Sequence, residues 1–329
     1  MIMKTVMWLI AGFTVTFFLT SSAPPLTAET YPSRPIQLII TLAPGDTGDL
    51  TGRAIGDALS KGLNTSVVAL NKTGGAGVIG ADFVAKGKKD GYTLLYINSN
   101  FIYSYATNPE NVPYNPFNDF EPLCLVATVP VQKAVRTDSP WKSFKELVDY
   151  VKQNPGKVRG SSTGVGSVGH FSYEIIRVET GAAITMIPYK GASPAVMALL
   201  GGHVEVGSPS LTLLLPHLAA GTVRPLITSR RVPQLPNIPT MIELGYKRDI
   251  RSVWFAFFVA AGVPESAKTV LVPAIEKAVK SPDVIKVFER IGVIEDYKPA
   301  GEFRKAMLEE YEMIKELFKT AGWKLPPKE

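Results

Sequence analysis

Apolar positions along this chain alternate between strand-like runs and helix-like spacing. Ile36 to Leu42 is rich in β-branched residues and reads as a buried strand. From Leu50 to Leu63, Ala54, Ile55, Ala58 and Leu59 recur at helical spacing, with Asp49 as the expected N-cap. Val67 to Leu70 is a short strand, Val78 to Ala85 a helix, and Tyr92 to Ile97 a strand behind the Asp90-Gly91 turn. Thr107 to Pro122 is rich in Pro and Asn and is expected to be an extended surface loop, followed by a crossing strand from Leu123 to Val131. A second series then runs through helix Phe144–Gln153, strand Val158–Ser161, helix Phe171–Glu179, strand Ile184–Ile187 and helix Ala195–Leu200. Strand Val204–Val206, helix Leu211–Ala219 and strand Arg224–Thr228 complete it. Strand Val253–Ala261 and the amphipathic helices Ala267–Val279 and Phe303–Ala321 close the chain. The alternation predicts an α/β fold with largely parallel sheets.

At 329 residues the chain is long for one core, so two domains are expected. The pattern assigns residues 29–130 plus 253–329 to lobe one and 131–252 to lobe two, with two crossing segments as a hinge. A composition of 46% hydrophobic and 19% charged residues excludes extensive disorder, and a net charge of +6 does not by itself call for nucleic acid. The first 28 residues change the picture more. Lys4 precedes an apolar stretch from Val6 to Leu19, and small residues lead to Ala28. That layout predicts a secretory signal peptide cleaved after Ala28; the rival, an uncleaved anchor, would need a longer apolar run. Cys124 is the sole cysteine, so no internal disulfide forms, and its apolar neighbours predict a buried thiol. An exported chain with a large core and no disulfide fits a bacterial periplasm.

Two glycine-rich loops carry the candidate chemistry. One spans Leu42 to Asp49 and the other Ser161 to His170, and each joins a strand-like run to a helix. A helix N-terminus presents unpaired N–H groups and a positive dipole end, so it attracts anions. Thr47, Ser99, Ser162, Thr163 and Ser167 add neutral donors, while Gly45, Gly48, Gly164 and Gly166 let backbone approach a ligand. Charge-assisted bonds contribute about 1.5–3 kcal/mol each, so a few from each loop reach the ~8 kcal/mol of micromolar binding, with no need of lysine or arginine.

Other motifs compete. Gly75 to Gly80 and Gly164 to Gly169 both match G-x-G-x-x-G, but neither following strand ends in the acid that a dinucleotide ribose needs. Gly160-Ser161-Ser162-Thr163-Gly164 matches a nucleophile elbow, with Glu205 and His217 as formal triad partners. A secreted serine hydrolase centred on Ser162 is therefore an alternative, although more loop intervenes before the helix than an elbow allows. His170, His203 and His217 lack metal-ligand spacing, so neither metal nor cofactor is expected.

The chain resembles the TctC/Bug receptors of tripartite tricarboxylate transporters. The likeness runs from Tyr31-Pro32-Ser33-Arg34-Pro35-Ile36 to about Gly322. It is carried by Asn71 to Gly80, Asp90 to Leu95, Tyr114 to Pro122, Pro188-Tyr189-Lys190-Gly191, Leu200 to Glu205 and Leu235 to Thr240. The resemblance implies a two-lobe periplasmic binding protein of type II-like architecture. It further implies a monomer that closes on a small organic acid and delivers it to one large and one small integral membrane subunit driven by an ion gradient. A receptor for an ATP-driven importer is the alternative of similar architecture. By the same resemblance Pro44, Gly45, Asp46, Thr47, Gly48 and Asp49 hold the ligand from one lobe. Ser162, Thr163, Gly164, Gly166, Ser167 and His170 hold it from the other. For His170 a helix-start packing role is an equal alternative to ligand contact, and the reading of the residues adds Ser99 and Tyr189 as candidates for the cleft walls. One departure stands out: Asp46 replaces the second glycine of the family's P-G-G-x-x-D loop, and its carboxylate is expected to turn to solvent, the alternative being a ligand that carries a cationic or donor group there.

Overall fold

The computed structural model describes residues 30–189 and 191–320. The leader and its cleavage point after Ala28 lie outside the described residues. In chain order the elements are β1 (Ile36–Ile40), α1 (Thr47–Leu63), β2 (Val67–Asn71), α2 (Val78–Ala85), β3 (Thr93–Asn98), α3 (Asn100–Thr107) and β4 (Phe120–Val129). Then come β5 (Gln132–Arg136), α4 (Phe144–Gln153), β6 (Arg159–Ser162), α5 (Val168–Thr180), β7 (Thr185–Pro188), α6 (Ala192–Leu200), α7 (Leu211–Ala219) and β8 (Val223–Thr228). The chain ends with β9 (Val253–Ala260), α8 (Glu265–Val279), α9 (Pro282–Arg290), β10 (Ile294–Pro299) and α10 (Ala300–Thr320).

Six strands form one sheet in the order β10-β4-β9-β3-β1-β2. Successive residues point to opposite faces of a strand, and here both faces are buried. Ile39, Leu95, Ile97 and Phe258 pack with Val84, Phe101, Met307 and Ile314 on one side. Leu38, Ile40, Tyr96 and Phe257 pack with Ile55, Leu59, Leu271 and Phe288 on the other. The sheet is mixed, a correction to the expected parallel one. β1 is parallel to β2 and β3, but β9 is antiparallel to both β3 and β4. The reason is the chain path. β4 leaves the sheet at Val129 and β9 re-enters beside it at Val253, so the returning strand must run the opposite way.

The intervening residues build smaller sheets, β5 with β8 antiparallel and β6 with β7 parallel. Isolated bridges Ala134↔Gly207 and Gly160↔Val206 join them, so the strand expected at Val204–Val206 is reduced to this link. Where the chain passes from β4 to β5 and from β8 to β9, the two segments are stitched together. Ser229 Oγ accepts from Val131 N–H at 3.0 Å and lies 2.6 Å from Ser252 Oγ. Cys124 is buried in β4, as its apolar neighbours predicted. Among the described residues no helix is long and apolar enough to cross a membrane.

Candidate ligand-binding site

A cavity of about 570 Å³ opens at the strand ends of the six-stranded sheet. Its wall takes Thr41 and Leu42 just beyond β1, Asn98 at the end of β3, Val129 at the end of β4, and Val253 and Phe255 from the start of β9. This is the strand-end position where α/β sheets commonly bind ligands. The remaining wall is largely helix N-termini. Asp46 and Thr47 begin α1, Gly77 precedes α2, Asn100 begins α3, Val168 begins α5, Gly191 and Ala192 begin α6, and Ser210 precedes α7. Six helices thus present N-terminal residues to one space, and each contributes a positive dipole end there. The caps at Gly77, Ser99, Gly191 and Ser210 make no side-chain hydrogen bond to their helices. Among the described residues, Asp46 is the one charged side chain on this wall.

The first loop is built by two acids. Asp46, not Asp49, caps α1: its φ/ψ of −71°/161° is extended and its Oδ1 accepts from Thr47 N–H at 2.5 Å. Asp49 sits in the first helical turn, buried, and fixes the loop from below. Its carboxylate accepts from Gly45 N–H (2.9 Å), Asn71 Nδ2 (2.7 Å) and Arg53 Nε (2.8 Å). Burial raises its pKa, but those three donors outweigh burial and leave it below the usual carboxylate range. Asp46 lines the cavity instead of turning to solvent, which corrects the sequence expectation. Burial raises its pKa, against the bond from Thr47. Gly48 is required for packing: an added Cβ would lie 2.5 Å from Leu42 Cδ1 and 2.7 Å from Phe255 Cε1. Pro44, Gly45, Gly48 and Asp49 support the loop and do not line the cavity.

In the second loop Thr163 alone of the predicted residues lines the cavity. Ser162 and Ser167 are buried behind it, with their Oγ atoms 2.8 Å apart, and Ser167 Oγ donates to Gly164 carbonyl at 2.8 Å. Ser167 caps α5 through His170 N–H, and His170 Nδ1 accepts from Gly166 N–H at 3.1 Å. Burial, with the nearby Lys133 charge, pushes His170 down to about 3. Gly164 and Gly166 hold φ of +126° and +76°, conformations that side chains disfavour, and their role is loop shape. Ser99 is buried with its Oγ unpartnered, and its neighbours Asn98 and Asn100 reach the wall in its place. Tyr189 packs in a satellite core and donates its N–H to Ser162 carbonyl. The formal triad partners do not bond Ser162: its Oγ bonds Ser167 Oγ and the Gly164 carbonyl, Glu205 bonds Arg159, and His217 lies in the last turn of α7.

Two parts of the wall, and a buried lysine behind one of them, escaped sequence reading. Thr73 to Gly77 forms one side, with positive φ at Gly74, Gly75, Ala76 and Gly77 in succession. Ala76 at φ +56° is uncommon for a residue with a Cβ, and such strain concentrates at functional sites. The G-x-G-x-x-G match at Gly75 marked this segment, but as a dinucleotide motif. Ser208 and Ser210 form a second part. Behind Ser208 lies Lys133, wholly buried, an amine that the expectation of a lysine-free site overlooked.

A sequence profile described as "Tripartite tricarboxylate transporter family receptor" matches residues 51–322. The chain belongs to this family. It is 34% identical over 306 residues to Protein BugT of Bordetella pertussis, covering 92% of this chain and 94% of that one. The receptor's structure also matches that of an R. palustris protein with adipate, at TM-score 0.80 and 30% identity over 89% of this chain and 98% of the other. MatC of Rhodopseudomonas palustris with bound malate matches at TM-score 0.77 and 25% identity, over 87% and 99% of the two chains. The fold is that of an α/β periplasmic binding protein, and the receptor is a solute-binding protein of a non-enzymatic family.

Proposed function

We propose that this receptor captures a small carboxylate, in the size range of adipate or malate, within the cavity at the strand ends, and hands it to a membrane complex of one large and one small integral subunit. The observation that carries this reading is the meeting of six helix N-termini at one cavity whose wall, among the described residues, bears a single charge. Such a wall offers an anion donors and the positive ends of six helix dipoles, opposed by the one carboxylate of Asp46. The relatives with adipate and malate support a dicarboxylate as the ligand class.

The two sheet groups act as lobes in this reading, residues 29–130 plus 253–329 and residues 131–252. A ligand touched by Thr47 and Gly77 on one side and by Thr163 and Ala192 on the other favours the closed arrangement, because only closure makes both sets of contacts. The paired crossings, at Val131 on the way out and at Ser229 and Ser252 on the way back, are the hinge. The leader directs export and is removed, which places the mature monomer in the periplasm beside its transporter.

A thermal-shift panel of mono-, di- and tricarboxylates, aromatic acids and acidic amino acids tests the reading. A ligand at a hundredfold excess over Kd stabilises by about 2.7 kcal/mol, which moves the melting temperature by several degrees. No shift with any anion, or a shift confined to cationic or neutral solutes, would overturn it.

A further inference from the structure

Lys133 lies in β5 with no solvent exposure. Its Nζ is 2.8 Å from Ser208 Oγ and 3.2 Å from the Gly169 carbonyl oxygen, and sits 3.5 Å from the centroid of the Tyr173 ring. On α5, the titratable groups facing it are His170 and Tyr173. On β8, the pairing partner of Lys133 is Ile227, which does not titrate. Among the described residues no carboxylate forms an ion pair with Lys133. A buried cation without a counter-ion is strongly unfavourable. Consistently, burial drives the Lys133 amine well below the ordinary lysine range.

Both hydrogen-bond partners of Lys133, Ser208 and Gly169, line the cavity. Gly169 is what brings them together, since a Cβ there would lie 3.2 Å from Ser208 Oγ. The hydroxyl of Ser208 has one proton to place. Against a neutral amine it can donate to the nitrogen lone pair. An ammonium only donates, so Ser208 Oγ must then accept, and its own proton is released to point elsewhere.

We propose that Lys133 sets the charge selectivity of the cavity: it takes a proton from solvent as a carboxylate enters, becomes that anion's counter-charge, and turns Ser208 into a hydrogen-bond donor to it. No bond between heavy atoms changes; one proton leaves hydronium or the buffer acid, which becomes water or the buffer base, and forms an N–H bond at Nζ, and the added positive charge matches one carboxylate. The inference rests on the carboxylate reading above and deepens it, because it assigns one end of the ligand to the Ser208 side of the cavity.

The test is isothermal titration calorimetry of the mature receptor with adipate and malate, near about pH 8 in buffers of differing ionisation enthalpy, beside the neutral diamide of each acid. Wild type is expected to take up a substantial fraction of one proton per ligand and to reject the diamides. Lys133→Met, which fills the buried slot without charge, should bind the acids about tenfold or more weaker, lose the proton uptake and discriminate less against the diamides. Ser208→Ala should weaken acid binding in the same direction, and it serves as the second variant if Lys133→Met does not fold. Equal affinity and equal proton uptake in Lys133→Met would overturn the inference while leaving the carboxylate reading intact. Were Lys133→Met unfolded, wild-type binding without proton uptake, or unaltered binding by Ser208→Ala, would overturn it. Failure of the wild type to bind either acid or any member of the anion panel would remove the carboxylate reading, and this inference with it.

Discussion

Replacing Asp49 by alanine isolates how the first loop is held. The carboxylate is 4% exposed and accepts from Gly45 N–H, Asn71 Nδ2 and Arg53 Nε. Arg53 is partly exposed and recovers water when its partner is lost. Gly45 N–H and the Asn71 amide are less fortunate. Each partly buried donor left unpaired costs about 1–3 kcal/mol, so losing both in Asp49→Ala should destabilise by about 2–6 kcal/mol. Urea unfolding followed by circular dichroism measures this directly. Asp49 does not line the cavity, yet binding should also weaken, because the loop carrying Asp46 and Thr47 loses its anchor. A loss below about 1 kcal/mol, or a loss of stability with binding unchanged, would refute the argument that this carboxylate sets the loop's geometry.

Three further outcomes are expected. Asp46→Gly should tighten dicarboxylate binding about tenfold in calorimetry, a part of the ~4 kcal/mol that two like charges 4 Å apart feel at an effective dielectric near 20; unchanged or weaker affinity counts against repulsion by this carboxylate. His170 is held near 3 in the folded receptor against 6.5 ordinarily. The unfolded chain therefore binds the proton first, and the His170 contribution to stability is complete above about pH 6.5 and lost as the pH falls toward 3, at about 1.4 kcal/mol per unit. His170→Asn should flatten that slope in acid denaturation relative to wild type, and parallel slopes would contradict the assignment. Gly80→Ala would bring its Cβ within 2.7 Å of the Lys72 carbonyl oxygen and 2.9 Å of Thr41 Cγ2, so it should cost about 1–3 kcal/mol in urea unfolding; a neutral effect would mean the α2 start can shift freely.

Elements with strong local signals were legible in the sequence. α4 matches its expected bounds because Phe144, Leu147, Val148 and Val151 share a buried face and Ser143 caps it. α2 and α7 also match. α3 was missed because Asn100 to Thr107 is rich in aromatic and β-branched residues, poor helix formers, and tertiary packing against α10 holds it. β10 was missed for another reason: Ile294 to Pro299 carries three charges on an edge strand that is only half-buried, so no alternation marks it. Strand direction in the six-stranded sheet depends on where β9 returns, which local patterning does not encode.

The site was legible in kind more than in residue. The two glycine loops do border the cavity, through Asp46, Thr47 and Thr163. Their other polar residues are spent on holding the loops, since a buried serine or aspartate near a helix start satisfies backbone donors before it can face a ligand. Lys133 escaped because the strand was read as ending at Val131. Its signal was a lysine between Val131-Gln132 and Ala134-Val135, in a stretch apolar enough to be buried, where a charge is costly unless something answers it.

A crystal structure of the receptor isolated with, or soaked in, its tightest-binding dicarboxylate tests the central claim most directly. The account predicts carboxylate oxygens within hydrogen-bond distance of N–H or hydroxyl groups at the starts of α1 or α2 on one side and of α5, α6 or the Ser208 segment on the other. A ligand seated outside this cavity, or one held there by a cationic group against Asp46 with no anion at any helix start, would contradict it.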